Sequence, residues 1–321
     1  MAESRHEFAL VGLGNIGGNL AAQALEKGCR VVGYDAHPPS APLVEAGLQP
    51  VAQLAELADR LGPPRIVFLY VPAGPIVDQL LDQLLPILQP GDVVVDGGNS
   101  YWGDSIRRHR RLAAAKLGFV DLGTSGGLAG ARHGACFMAG GKPEVVGRIE
   151  PILTILAVTG GYVHAGPPGA GHFAKLVHNG IEFGMLQAIG EGMDLLTHFP
   201  EPLPVAEILG AWGHGSVIRS WLIELMEQQY RQHPAMADVP GYVEDTGEVN
   251  WLVDDALQLE VPIPVIAQSV MQLLASRDAS RGSARAVALM RHGFGNHPLG
   301  PDPRFASNRR TSRVGGFEAR E

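Results

Sequence analysis

The chain has 321 residues, 45% of them hydrophobic and 18% charged, with a formal net charge of −8. That length supplies core for two domains, and the balance is that of a globular enzyme rather than a disordered or fibrous chain. The acidic charge, with no Lys/Arg run in the body of the chain, argues against a nucleic-acid partner. No window approaches the roughly eighteen apolar residues of a membrane span. Two cysteines, Cys29 and Cys136, are too few for a disulfide scaffold and fit a reducing compartment. The first seven residues lack the apolar core of a signal peptide. The expectation is a cytoplasmic protein with no membrane contact.

In chain order, residues 8–13 read as a buried strand, 15–27 as a helix and 30–34 as a second strand. Residues 51–61 read as helix, 65–70 as strand, 76–85 as helix, 92–96 as strand, 100–116 as helix and 119–122 as strand. This alternation predicts an α/β Rossmann-type N-terminal domain, a mostly parallel sheet with helices on both faces. Glycine and proline cluster over 160–171, a candidate boundary. Beyond it the patterns are helical, at about 170–196, then 205–212, 216–230 and 263–275. The predicted domains are therefore 1–166 for a dinucleotide, 167–300 as an all-α substrate and dimerisation domain, and a polar, Arg-rich tail over 301–321.

The first strand runs into Gly12, Leu13, Gly14, Asn15, Ile16 and Gly17, a GxGxxG set between a strand and a helix. The first glycine allows the tight turn, the second lets backbone approach a pyrophosphate, and the third lets helix and strand pack closely. The amides opening the helix favour the phosphates. Asp35, at the end of the second strand, suits ribose hydroxyls and repels a 2′-phosphate, and Ala36, His37 and Pro38 after it offer no Arg. NAD is thus expected over NADP. Val71 and Pro72, just past the strand at 65–70, and Asn99, just past 92–96, complete the expected cofactor contacts, because ligands lie at the carboxyl ends of parallel strands.

Two further segments carry polar groups suited to a substrate. In Asp96-Gly-Gly-Asn99-Ser100, Asn99 offers a donor and an acceptor to a polyol, or forms a turn. In 121–141, Ser125, Gly126 and Gly127 present a hydroxyl and bare amides that would cradle a carboxylate; a ligand-free hairpin fits equally. The strongest signal is Lys175, His178, Asn179 and Glu182, at i, i+3, i+4 and i+7. On a helix they share one face, with Lys175 and Glu182 roughly 10 Å apart along the axis. The intervening residues are apolar, and a buried Lys or Glu is costly unless paired or used. The stripe reads as an acid–base pair with two orienting groups, in preference to a solvated face of ordinary ion pairs. The histidines show no ligand cluster, so no metal is expected.

These motifs resemble the β-hydroxyacid dehydrogenases, and most closely the decarboxylating 6-phosphogluconate dehydrogenases of the short, NAD-preferring type. The resemblance rests on the nucleotide loop, Asp96-Gly-Gly-Asn-Ser, Thr124-Ser-Gly-Gly, Gly171-His-Phe-Ala-Lys-Leu-Val-His-Asn-Gly-Ile-Glu182, and Arg291-His-Gly-Phe-Gly-Asn-His297. It implies oxidation of a sugar acid at C3 with Lys175 as base, a form that burial favours. Loss of CO2 would follow, then protonation of the enediol by Glu182. Asn179 and His178 would orient hydroxyls, Ser125, Gly126 and Gly127 would hold the carboxylate, and Arg291 and His297 would complete the neighbouring subunit's site in a homodimer or homotetramer. The implied reaction belongs to the pentose phosphate pathway and gluconate metabolism. The family usually has a Tyr where Phe183 stands, a Lys or Arg at Asn250, and an Arg at Leu273. Loss of these phosphate ligands keeps open a non-phosphorylated or 6-sulfo aldonate, and a non-decarboxylating 3-hydroxyacid dehydrogenase is the other alternative.

Overall fold

The computed structural model describes residues 6–303. Most of the predicted tail, 304–321, lies outside the described residues. Two compact units form: one runs to Gly180 and also takes Gly247–Leu259, and the other comprises Ile181–Thr246 and the chain from Glu260.

The first unit opens with β1 (Glu7–Val11), α1 (Asn15–Glu26), β2 (Arg30–Tyr34), α2 (Ala41–Glu45) and β3 (Gln49–Pro50). A 3-10 turn and the single-turn α3 (Leu57–Arg60) replace the helix expected over 51–61. Then come β4 (Ile66–Leu69), α4 (Pro75–Leu84), β5 (Val93–Asp96), α5 (Trp102–Ala114), β6 (Gly118–Ser125), α6 (Gly127–His133), β7 (Ala135–Gly140), α7 (Pro143–Leu156) and β8 (Ala157–Gly166). All eight strands join one sheet in the order β3-β2-β1-β4-β5-β6-β7-β8. Every pairing is parallel except β6 with β7. The chain reverses its direction of travel across the sheet between β1 and β4, which opens a crevice at the carboxyl ends of those strands.

Successive residues of each strand feed opposite faces. Phe8 and Leu10 join one buried cluster with Leu20, Phe68, Val93 and Val95, while Ala9 and Val11 join another with Val67, Leu69, Leu81 and Val94. Burial on both faces is why these strands read as continuous apolar runs. The first strand stops at Val11, two residues short of its predicted end, because Gly12 turns to φ +93°, outside the extended region.

No strand or helix is predicted over 142–159, and 160–171 is expected to be a boundary; instead β7, α7 and β8 extend the sheet, with β8 running through half of the glycine cluster. The glycine-rich segment at 121–141 is β6, α6 and β7, an antiparallel pair bridged by a short helix.

The α8 helix (Ala170–Thr197) follows, then α9 (Val205–Trp212), α10 (Trp221–Gln232), α11 (Glu248–Gln258), α12 (Pro264–Arg277) and α13 (Gly282–Gly295). Helices α11 and α13 lie outside the expected helical segments. The α10 helix starts at Trp221 rather than 216 because Ser220 caps it, its hydroxyl accepting the Ile223 amide at 3.3 Å. In the second unit Met193, Val205 and Leu209 form a small core with Leu196, Trp212 and Tyr230 around them. No helix among the described residues is long and apolar enough to cross a membrane.

Candidate active site

The nucleotide loop is shaped by close backbone contacts. A Cβ on Gly17 would stand 1.9 Å from Gly12 O, so α1 can pack on its own loop only with glycine there. Around Gly14, by contrast, nothing lies within 4 Å of where a Cβ would stand, and the residue is exposed. Asn15 is also exposed, while Leu13 and Ile16 pack partly buried against the core. Asp35 Oδ2 accepts the Leu13 amide at 2.6 Å and Oδ1 accepts the His37 amide at 2.9 Å. Its carboxylate is thereby tied to the loop, which pre-orients its remaining lone pairs.

Beside it lie the segments after β4 and β5. Arg108, fully buried on α5, donates to Asp96 Oδ2 at 3.3 Å, Ser100 Oγ at 3.2 Å, Gly74 O at 3.0 Å and Asp78 Oδ2 at 3.0 Å. One guanidinium therefore joins the loop carrying Val71 and Pro72 to the loop carrying Asn99. Ser100 Oγ also donates to Asp96 Oδ2 at 2.8 Å. The buried Tyr70 hydroxyl sits 3.1 Å from Thr124 Oγ1, and burial holds that phenol well above its ordinary pKa.

The helix α8 is anchored at its start by Asp121 on β6, which is completely buried. Its carboxylate accepts the Gly169 amide at 2.7 Å and the His172 amide at 2.9 Å. These are orphan donors of a helix N-terminus, and an anion there also meets the favourable end of the helix dipole. Gly123, on the same strand, lets the helix approach: a Cβ there would stand 2.6 Å from Lys175 Cβ and 2.8 Å from Gly171 O.

Lys175 is 9% exposed. Its Nζ lies 3.5 Å from His178 Nδ1, which is 3.3 Å from Asn179 Oδ1, while His178 Nε2 lies 3.0 Å from Ser125 Oγ. Four sequence-predicted residues from two segments are thus in one hydrogen-bonded group. Gly126 and Gly127 adjoin it at the start of α6. A cleft is lined by Asn99, Ser100, His172, Lys175, Leu176, Asn179, Glu248 and Trp251. Among the described residues no group of His, Cys, Asp or Glu could hold a metal.

Three predicted residues fall in the second unit. Glu182, half-buried, continues α8 beyond Gly180. Arg291 is exposed near the end of α13, with its Nη2 3.5 Å from His297 Nδ1.

Comparison with known proteins agrees with this geometry. Residues 7–165 match the family model for the NAD binding domain of 6-phosphogluconate dehydrogenase, and 171–298 match that for the C-terminal domain of the same enzyme. The chain belongs to the 6-phosphogluconate dehydrogenase family. It is 40% identical over 297 residues to the NAD(+)-dependent, decarboxylating 6-phosphogluconate dehydrogenase of Haloferax volcanii, covering 91% of this chain and 98% of that one. It is likewise 40% identical over 292 residues to the Bacillus subtilis protein YqeC, with 91% and 98% covered. The solved structure of Plasmodium falciparum 6-phosphogluconate dehydrogenase is 26% identical with a TM-score of 0.77, over 92% of this chain and 66% of that chain.

Several residues of this family member's site went unnoticed in the sequence. His172 stands three residues before Lys175, so the same helical spacing was its signal. Ser100 adjoins Asn99 and offered the same local signal. Trp251, beside Asn250, was a landmark of the family pattern, but Asp121, Arg108 and Glu248 gave no signal, because only the folded chain brings them to the stripe or its supports.

Proposed function

We propose that this chain catalyses the NAD-dependent oxidative decarboxylation of 6-phospho-D-gluconate to D-ribulose 5-phosphate and CO2. The observation that carries the reading is the hydrogen-bonded set Ser125, His178, Lys175 and Asn179 at the start of α8. A base beside two orienting groups is what removal of a hydroxyl proton requires. Residues 1–166 hold the dinucleotide and 167–300 supply the substrate and subunit surfaces.

NAD fits the first unit. The open space at Gly14 leaves room for a pyrophosphate against the amides of Gly12, Leu13, Gly14, Asn15, Ile16 and Gly17. Asp35 takes the adenosine ribose, and Val71, Pro72 and Asn99 flank the other end. When bound, the nicotinamide supplies the acceptor for the hydride leaving C3.

Lys175 Nζ takes the proton of the C3 hydroxyl. The resulting 3-keto acid loses its carboxylate as CO2, and the electron pair of the broken bond passes into a five-carbon enediolate. Lys175, now an ammonium, stabilises the oxygen that gains the charge. Glu182 then delivers a proton to C1 of the enediol, which leaves the ketose. Ser125, Gly126 and Gly127 hold the departing carboxylate end, while His178 and Asn179 orient hydroxyls.

Arg291 and His297 meet the phosphate across a subunit boundary in a homodimer or homotetramer. Ile181, Leu186 and Leu195 on α8, and Leu289 and Phe294 on α13, are exposed apolar side chains that support such an assembly. The two free cysteines and a phosphorylated substrate suit a cytoplasmic enzyme.

The test is NADH formation with CO2 release on 6-phosphogluconate, compared with gluconate and 6-sulfogluconate, together with sedimentation of the active species. Turnover of a β-hydroxy acid without CO2 would overturn decarboxylation. Preference for an aldonate lacking phosphate would overturn the substrate. A fully active monomer would overturn the shared site.

A further inference from the structure

Lys175 and Asn179 share their cleft with a residue from a distant part of the chain, Glu248. It begins α11, a segment that packs within the first unit although the chain on either side belongs to the second. What holds α11 there is specific. Asp255, 4% exposed, accepts the Tyr101 hydroxyl at 2.9 Å and the Trp102 indole N–H at 2.7 Å. The Tyr101 and Trp251 rings also meet edge to face, 5.7 Å between centroids. Tyr101 and Trp102 directly follow Asn99 and Ser100, which line the same cleft. The short run 99–102 therefore contributes two polar groups to the cleft and anchors the helix that brings a third.

We propose that Glu248 is a further substrate-binding residue, its carboxylate accepting hydrogen bonds from the hydroxyls of a sugar acid in this cleft.

The chemistry of the lining selects that role. Asn99, Ser100, His172, Lys175 and Asn179 are neutral or cationic groups, of which Lys175 suits the oxidised oxygen and the amides and hydroxyl suit substrate hydroxyls. Glu248 is the carboxylate of the set. It repels both anionic ends of a phosphorylated sugar acid, so the stretch it can face is the neutral polyol between them. Hydroxyls there are donors, and a carboxylate is the strongest acceptor a side chain offers, with lone pairs enough for two of them. Its place in the first turn of α11 puts it at the end of the helix where acidic side chains are commonly found. The arrangement reads hydroxylation rather than charge, a discrimination larger than apolar contacts supply.

This assignment rests on the sugar-acid reading given above. The test compares the parent enzyme with Glu248→Gln, Glu248→Ala and Glu248→Asp, using 6-phosphogluconate and its deoxy analogues lacking one chain hydroxyl. Loss of charge-assisted bonds should raise KM for 6-phosphogluconate ~10–100-fold in Glu248→Ala. KM for NAD and the thermal midpoint should stay at parent values, with Glu248→Gln intermediate. The parent should discriminate against at least one deoxy analogue, and Glu248→Ala should lose that discrimination. Unchanged kinetics, or a fall in thermal midpoint with both KM values rising together, would overturn the assignment while leaving the reaction in place. A parent that oxidised no aldonate at all would overturn the functional reading, and the assignment with it.

Discussion

The carboxylate of Asp121 accepts the backbone amide of His172 at 2.9 Å, so a buried anion on β6 fixes the first turn of the helix that carries Lys175. The same carboxylate takes the Gly169 amide at 2.7 Å. Strand β6 and the start of α8 are thereby coupled through two hydrogen bonds rather than by apolar packing alone.

Asp121→Asn should uncouple them. An amide NH2 in place of one oxygen would face a backbone donor, leaving a buried N–H unpaired. We expect a stability loss of about 2 kcal/mol or more by urea denaturation. We also expect a fall in kcat of up to ~10²-fold, because a shift of about an ångström in the base is enough for that. Parent-like kcat in a folded variant would show that the cap does not set the position of Lys175.

The two ends of the stripe should separate by kind of defect. Lys175→Met removes the proposed base and should abolish hydride transfer while NAD binding, read by fluorescence quenching, stays near the parent value. Glu182→Gln keeps shape but cannot deliver a proton, and general acid steps are typically worth ~10²–10⁴-fold. In that variant a supplied 3-keto acid should be reduced faster, relative to its decarboxylation, than in the parent. A nearly silent Glu182→Gln would remove the acid from this residue.

Cofactor choice should follow Asp35. Its carboxylate is held by the amides of Leu13 and His37, and Ala36 and His37 beside it are exposed. The parent should show higher kcat/KM with NAD than with NADP. The double variant Asp35→Ala, Ala36→Arg removes repulsion and adds a phosphate partner, so the ratio should move toward NADP. Equal use of the two cofactors by the parent would defeat this prediction.

Asp78 should govern acid stability. Burial by itself would raise its pKa, but Arg107 and Arg108 outweigh that and bring it down to about 2. They donate to its carboxylate at 2.9 Å and 3.0 Å. A depressed folded-state pKa gives stability that is fully present above the ordinary carboxylate value of about 4 and is lost as pH falls toward the folded value. The stability gap between parent and Asp78→Asn, measured by urea denaturation, should therefore be constant near neutrality and narrow between about pH 4 and pH 2. A gap that stayed constant across that window would mean the ion pairs contribute nothing through charge.

The nucleotide loop and the stripe from Lys175 to Glu182 were legible in the sequence because both are local. The roles of Gly12, Gly14 and Gly17 follow from spacing along a strand, turn and helix. The common face of Lys175, His178 and Asn179 follows from 3.6 residues per turn. Strands β1, β2, β4, β5 and β6 were legible because each is an apolar run buried on both faces, whereas the two-residue β3 (Gln49–Pro50), half-buried to exposed, was not. Short or glycine-rich elements were not: β7 and β8 carry few large apolar residues, and α11 opens among acidic and turn residues.

What only the tertiary structure decided is which distant groups serve the stripe. Ser125 reaches His178, Asp121 caps α8, Arg108 ties the loops after β4 and β5, and Asp255 seats the helix that carries Glu248. Each of these pairings spans from tens of residues to more than a hundred. Periodicity reports only which side of an element meets the core. Which buried donor meets which acceptor is settled when the sheet order places β5 between β4 and β6, and every polar group left inside must find a partner.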